Sequence, residues 1–370
     1  MRVLGFMSGT SLDAIDMALL ETDGETIHAF GPAGERKLSE ETRAVVLEAT
    51  AQARAWRRGD PEPEVFARAA EAVGREHLAA ALDFLAEHGV DPRTIDLVGF
   101  HGQTVLHERP AGGVIGRTVQ LGDAEILAKG LGVPVAHGFR LDDVAAGGEG
   151  APLAPIYHAA LAGFAGLATP VAVLNLGGVA NITLIGEDGQ FQAFDTGPAN
   201  GMIDLLIQAR GLGRADIDGR YALAGQVDAA ALKTLLAHPY FSAPPPKSLD
   251  RYDFPLEVVE GLSTEDAAAT LTAFTVAAVR LSLDWFEDGQ LPSTVIAAGG
   301  GRHNPAIMQG LREALPARVI SAEEAGWRGD SVEAEAFAYL AARTARGLPI
   351  SFPGATGVKA PMSGGRIVRP

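Results

Sequence analysis

The 370-residue sequence predicts an α/β protein made of two related lobes, and three observations carry that prediction. A strand, glycine turn, strand and hairpin follow one another twice. Strand and helix signals alternate along the remaining chain. At roughly 150 residues per domain, the length fits about two or three domains.

The first copy opens the chain. Arg2–Met7 is an apolar run, Ser8-Gly9-Thr10-Ser11-Leu12-Asp13 a polar glycine turn, and Ile15, Met17 and Leu19 alternate before Asp23-Gly24 and a third run. The second copy spans 171–195. Val171–Leu176 leads to Gly177-Gly178, then Asn181–Ile185, a turn at Asp188-Gly189, and Gln190–Asp195. Asp-Gly between alternating apolar runs is a strong hairpin signal. A strand follows each glycine turn, whereas the common glycine-rich phosphate loops open a helix. Two such turns facing each other from two lobes make a clamp of backbone N–H groups suited to phosphates, which points to an ATP-dependent enzyme.

The other elements follow in order. Glu40–Arg58 and Glu64–His88 are Ala/Glu/Arg-rich with helical apolar spacing. Ile95–Gly99 is a short strand running into Phe100-His101-Gly102-Gln103-Thr104. Val119–Leu121 is another apolar run, Asp123–Gly130 reads as a helix ending at glycine, and Val133–Val135 restarts the strand pattern. Ala151–Gly163 and Asn200–Arg210 read as helices. Pro244-Pro245-Pro246 is a loop, since proline fits neither a central strand nor a helix interior. Thr264–Phe286 is a long helix with a polar start. Val295–Ala298 is a buried strand ending at Gly299-Gly300-Gly301, and Ser331–Arg346 is a final amphipathic helix. The tail from Gly347 is expected to wrap back across the surface. These signals divide the chain into an N-terminal lobe, 1–134, to which 347–370 returns, and a C-terminal lobe, 135–346.

Composition narrows the function. A 47% hydrophobic share with 21% charged residues is ordinary for a folded soluble protein. The chain has no cysteine, which excludes disulfides and thiolate zinc sites and fits a reducing cytosol. No secretory pattern opens the chain, and no uninterrupted apolar run reaches the roughly 20 residues of a membrane span. The formal charge of −16 argues against a nucleic-acid scaffold.

Each motif has a plain reading beside its functional one. Ser8–Asp13 reads either as a self-capped turn or as a phosphate turn. Gly177-Gly178 reads as a bulge or as a second phosphate turn. Gly299-Gly300-Gly301-Arg302-His303-Asn304 reads as a strand-to-helix connection or as a loop that lets a nucleoside approach the backbone. Their order in one chain favours the functional set, because a nucleotide needs two phosphate turns and a nucleoside shelf.

Gly5-Phe6-Met7-Ser8-Gly9-Thr10-Ser11-Leu12-Asp13 resembles the N-terminal signature of the 1,6-anhydro-N-acetylmuramic acid kinases. The resemblance continues through His101-Gly102-Gln103-Thr104, Phe139-Arg140, Asp143–Gly148, Gly150-Ala151-Pro152-Leu153 and Leu174–Gly178. It goes on through Phe194–Pro198, Pro244-Pro245-Pro246-Lys247-Ser248, Gly299–Gly301 with Asn304, and Glu333–Ala338, so it covers nearly the whole chain. The resemblance implies two ribonuclease H-like lobes of the actin-like ATPase and sugar kinase superfamily with a central nucleotide cleft. It also implies hinged closure around ATP and Mg2+, a homodimer and a cytoplasmic location.

The implied reaction phosphorylates O6 of the sugar while water opens the 1,6-anhydro ring, giving N-acetylmuramic acid 6-phosphate in cell-wall recycling. Asp195 is the matching general base; a carboxylate of ordinary pKa, about 3.9, is ionised at pH 7. Its plain reading is a cap on the turn at 197–200. Gly9, Thr10, Ser11 and Asp13 would hold the β/γ-phosphates, with Asp13 the candidate magnesium ligand. Gly177, Gly178 and Asn181 would form the opposing turn, Gly197 would be a further cofactor-binding position, and Gly299, Gly300, Gly301 and Asn304 the adenosine shelf. Arg140 is the candidate for the lactyl carboxylate, because guanidinium binds carboxylate bidentately; otherwise it pairs with Asp142 or Asp143. His101 and Gln103 are candidates for sugar hydroxyls, and Glu333 binds sugar or faces solvent.

Three positions depart from the family pattern: Ala14 for a common glycine, Gly138 for aspartate and Glu149 for glutamine. Two alternatives stay open. One is a kinase of the same fold for another sugar or acid, and the other an ATP-binding chaperone or filament-type protein.

Overall fold

The computed structural model describes residues 1–249, 253–286 and 291–370. The chain forms two compact units, Met1–Phe164 with Ser331–Pro370, and Ala165–Asp330.

The first unit starts with the antiparallel strands β1 (Arg2–Ser8), β2 (Ala14–Thr22) and β3 (Ile27–Lys37). Helices α1 (Glu40–Ala55) and α2 (Val65–Glu87) follow. Ser39 caps α1, its hydroxyl accepting the Thr42 N–H and thereby satisfying one of the orphan donors of the first turn. Strand β4 (Leu97–Phe100) lies parallel to β1, and β5 (Gln103–Glu108) with β6 (Arg117–Leu121) forms a separate hairpin. Helix α3 (Ala124–Leu131) leads to β7 (Val135–His137), parallel to β4. Helices α4 (Leu141–Ala145) and α5 (Pro155–Phe164) close this part. The expected helix from Ala151 begins four residues later, at Pro155, because proline suits a first helical position but lacks the N–H an interior needs.

The second unit repeats the plan. β8 (Val171–Leu176), β9 (Val179–Ile185) and β10 (Phe191–Pro198) are antiparallel. Helices α6 (Asn200–Ala209), α7 (Arg220–Ala224), α8 (Ala229–Leu236) and α9 (Thr264–Ser282) precede β11 (Thr294–Ala298), which runs parallel to β8. α10 (Pro305–Ala314) crosses to β12 (Arg318–Ser321), parallel to β11. The chain then returns to the first unit with α11 (Val332–Ala345), α12 (Pro353–Thr356) and β13 (Arg366–Val368), which pairs antiparallel with β7.

The two sheets share one order. In the second unit it is β10-β9-β8-β11-β12; in the first it is β3-β2-β1-β4-β7, with β13 added at the edge. Three antiparallel strands followed by two parallel ones is the ribonuclease H-like arrangement, present here twice. The expected division at 134/135 and 346/347 falls instead at 164/165 and 330/331. The reason is tertiary: β7 pairs with β4, and α11 packs on β1, β2 and β4, so both belong to the first unit. Gly5 and Gly99 make that packing possible. A Cβ at Gly5 would stand 2.0 Å from the Ala334 carbonyl oxygen, and one at Gly99 2.2 Å from that of Phe337.

The segment Thr264–Trp285 is, by length and composition, able to cross a membrane, with mean hydropathy 1.2. In the structure 72% of that window is buried. Phe274, Leu271 and Val279 sit in the core of the second unit, so burial among other elements accounts for its apolar character.

Candidate active site

In the first unit, β1 delivers Ser8 to the start of the glycine turn. The Leu12 N–H donates to the Gly9 carbonyl at 3.2 Å, and Leu12 takes φ +58 with its side chain buried. A leucine in the left-handed region is strained, and such strain persists only where surrounding structure enforces it. Thr10, Ser11 and Asp13 face solvent from this turn. Gln103, expected at sugar hydroxyls, is buried and its Nε2 donates to the Gly9 carbonyl at 3.0 Å. It braces the Ser8–Asp13 turn from within.

The same unit gathers His101, Arg140 and Glu333, which lie 39 and 193 residues apart in sequence. His101 follows β4, Arg140 precedes α4, and Glu333 lies in the first turn of α11. His101 is buried; its Nδ1 donates to the Gly102 carbonyl at 2.8 Å, and its Nε2 accepts from Arg140 Nε at 3.0 Å. Burial, then the Arg140 charge, holds the imidazole well below its usual pKa, so it stays neutral. Both ring nitrogens are engaged, so His101 orients the arginine.

Arg140 Nη1 donates to the Gly150 carbonyl at 2.7 Å, and the guanidinium carbon lies 6.0 Å from the Phe337 ring centre. Burial lowers it to about 10, still charged at neutral pH. Its plain alternative fails, since Asp142 pairs with Arg366 and Asp143 accepts from Gly150 N–H and Thr356 Oγ1. Burial raises the Glu333 carboxyl while Arg140 opposes, although the side chain keeps solvent access. Gly138, one of the departures, takes φ +68, a conformation that aspartate tolerates and glycine adopts freely.

In the second unit, Asn175, Asn181 and Asp195 stand level across β8, β9 and β10, giving one polar rung on one face. Leu249 N–H donates to Asp195 Oδ2 at 2.7 Å. The carbonyls of Gly177 and Gly178 accept the N–H groups of Asn200 and Gly201, so the second turn sits against the start of α6. Gly178 itself is exposed, with open space where a Cβ would be. Gly197 is buried, and a Cβ there would stand 2.6 Å from Ala278 Cβ, so it permits the approach of α9.

Gly299 and Gly301 press on β8, where a Cβ would meet Asn175 Oδ1 at 2.3 Å or Leu176 Cβ at 2.6 Å. Gly300 between them is exposed. It lines a cavity of about 220 Å3 with Asn200, Asp204, Asp216, Asp218 and His303. That is below the roughly 300–1,000 Å3 of a whole ligand site, and suits one part of a nucleotide. Asn304 also lines the cavity, but its Oδ1 caps α10 by accepting from Ala306 and Ile307 N–H, so its side chain has a structural task. Asn200, Asp204, Asp216 and Asp218, which also line the cavity, were not among the candidates named from sequence. The only sequence signal was the aspartate-rich turn Asp216-Ile217-Asp218-Gly219, which carries no recognisable spacing.

Comparison with known proteins settles the family. A match to the family described as anhydro-N-acetylmuramic acid kinase runs over residues 1–370. The chain belongs to the anhydro-N-acetylmuramic acid kinase family. A family protein from Phenylobacterium zucineum is 66% identical over all of both chains. One from Caulobacter vibrioides is 67% identical over all of this chain and 99% of its own. Among solved structures, the Acidaminococcus fermentans (R)-2-hydroxyglutaryl-CoA dehydratase component A is 14% identical, with a TM-score of 0.47 over 94% of this chain and 99% of its own. A likeness that low adds nothing to the strand order, on which the fold assignment rests. As a member of this sugar kinase family, the chain is a phosphotransferase.

Proposed function

We propose that this kinase uses ATP to convert 1,6-anhydro-N-acetylmuramic acid and water into N-acetylmuramic acid 6-phosphate, with Asp195 as general base. The observation that carries the reading is the placement of Asp195: a carboxylate on β10 at the point where its register with β9 shifts, with one oxygen held by a backbone N–H, level with Asn175 and Asn181. Water attacks C1 and gives its proton to Asp195. The C1–O6 bond breaks, O6 keeps the electron pair and takes the γ-phosphoryl group, and ADP leaves. Phosphoryl transfer asks the protein mainly for alignment and charge neutralisation.

On this reading the first unit supplies Gly9, Thr10 and Ser11 for the phosphates. Arg140 takes the lactyl carboxylate, supported by its Nη2, which makes no hydrogen bond among the described residues. Glu333 supplies an acceptor for a sugar hydroxyl. The second unit supplies Gly178, the shelf at Gly299–Gly301 and the aspartate-lined cavity for the nucleoside. The described residues contain no cluster of three or more His, Cys, Asp or Glu able to cage a metal. Magnesium fits such a site, because it keeps several waters and takes one or two carboxylates plus substrate phosphates. Asp13, exposed beside the Thr10 and Ser11 hydroxyls, would hold it. When bound, the ion neutralises phosphate charge. A cytoplasmic homodimer belongs to the same reading, and sedimentation velocity tests the dimer.

The test is ADP release with and without the anhydro sugar, in wild type and Asp195→Asn. Sugar-dependent release with a 6-phosphate product, reduced about 10²–10⁴-fold in the variant, is expected. Turnover that ignores the sugar would support the chaperone-type alternative, and turnover that survives the substitution would remove Asp195 as base.

A further inference from the structure

β10 is the edge strand of its sheet, and at Asp195 the open edge is closed by a loop. Asp195 N–H donates to the Lys247 carbonyl at 3.1 Å, and Tyr240 Oη donates to the Asp195 carbonyl at 2.5 Å. With the Leu249 N–H on Oδ2, residues 240–249 hold Asp195 at its backbone on both sides and at its carboxylate.

The loop is itself locked. Lys247 Nζ donates to the Tyr240 carbonyl at 3.2 Å and lies 4.7 Å from the Tyr240 ring centre, 4.9 Å from Trp285 and 5.7 Å from Phe194. Three rings around one ammonium make a cation–π enclosure, and Phe194 immediately precedes Asp195. We propose that segment 240–249 is the positioning element of the catalytic carboxylate and that caged Lys247 keeps it closed. The proposal rests on Asp195 being the base. Burial lowers the Lys247 ammonium to about 8, so it remains mostly charged at neutral pH and the enclosure stays attractive. Proline at 244, 245 and 246 stiffens the loop between its two anchor points, which lowers the entropy lost in holding it.

Tyr240→Phe deletes one hydroxyl and keeps the ring, Lys247→Met deletes the cation, and Lys247→Arg keeps a cation that stacks on aromatic faces. Tyr240→Phe and Lys247→Met are expected to lower kcat about 10–100-fold, as misplacement of a reacting group does, while the sugar KM moves less than about threefold. Lys247→Arg is expected to recover most of the loss. In protein labelled with 13C at the aspartate Cγ, the Asp195 carboxyl, assigned by its loss in Asp195→Asn, should titrate at higher pH in both damaging variants, because the Leu249 N–H that favours the ionised form loosens. An unmoved titration with intact kcat overturns the proposal. So does an effect confined to Lys247→Met, since the lysine would then act by charge alone. If Asp195→Asn keeps full turnover, the general-base reading falls, while the carboxyl titration still judges the clamp.

Discussion

Arg140 Nε donates to His101 Nε2 across 3.0 Å, and His101 Nδ1 is in turn tied to the Gly102 carbonyl. The imidazole is thereby fixed in one tautomer and serves as a rigid acceptor behind the guanidinium. Arg140→Lys cannot reproduce the fork, because one ammonium cannot reach both His101 and Gly150 in the same geometry. The sugar KM should rise about 30-fold, the equivalent of roughly 2 kcal/mol for a charged hydrogen bond, with the ATP KM unchanged. Steady-state kinetics with each substrate varied checks this; parallel rises in both constants would count against a sugar role.

Acid should destabilise the first unit through its histidines. Burial lowers His77 and His158 to about 4 and His101 well below its usual value. A depressed folded pKa means that the unfolded chain takes up protons first as pH falls. Stability is therefore intact above about pH 6.5 and declines toward pH 4. His77, enclosed by Phe6 and Phe100, contributes on the order of 3 kcal/mol to that loss. Melting temperature followed from pH 7.5 to 4.5 should fall, and His77→Leu should flatten the decline.

Two glycines in one motif should behave oppositely. Gly5→Ala forces a Cβ onto the Ala334 carbonyl of α11 and should cost about 3 kcal/mol or abolish folding. At Gly9 the nearest atom to an added Cβ is Ser11 Oγ at 3.6 Å, so Gly9→Ala should change stability by less than about 1 kcal/mol. Chemical denaturation of the two variants decides the contrast.

Arg302 should govern the Gly299–Gly301 loop, the proposed nucleoside shelf. Its side chain is almost fully buried, donates to the Gly299 carbonyl at 2.9 Å, and pairs with Glu323 and Asp330, each at 2.8 Å. Both acids keep solvent contact, so Arg302→Met leaves hydrated charges and not stranded ones. The expected result is an ATP KM raised about tenfold with the sugar KM unaffected. Isothermal titration with an ATP analogue would show the same weakening without turnover.

Asn304 is expected to act through structure. Asn304→Ala should cost about 1 kcal/mol by uncapping α10, whereas Asn304→Asp should keep the cap and the stability. Thermal melts of the two variants distinguish a cap from a nucleoside contact.

Local signals made much of the fold legible. Asp23-Gly24 and Asp188-Gly189 marked both hairpins, apolar alternation marked β2 and β9, and the polar start at Thr264 marked the long helix α9. The contacts of Gln103 with Gly9, of Gly197 with Ala278 and of Asn304 with the α10 N-terminus were not legible, because they come from distant or folded backbone. The cavity aspartates went unseen because Asp204 and Asp216 meet only after α6 and the following turn pack against the shelf.

By itself the sequence determined the duplicated strand order, the two glycine turns and the kinase family, since each is written in contiguous residues whose periodicity or turn chemistry is local. Tertiary structure alone decided the unit boundaries, the union of His101, Arg140 and Glu333, and the loop that holds Asp195. Those depend on packing and hydrogen bonds between residues tens to hundreds of positions apart, which no local pattern encodes.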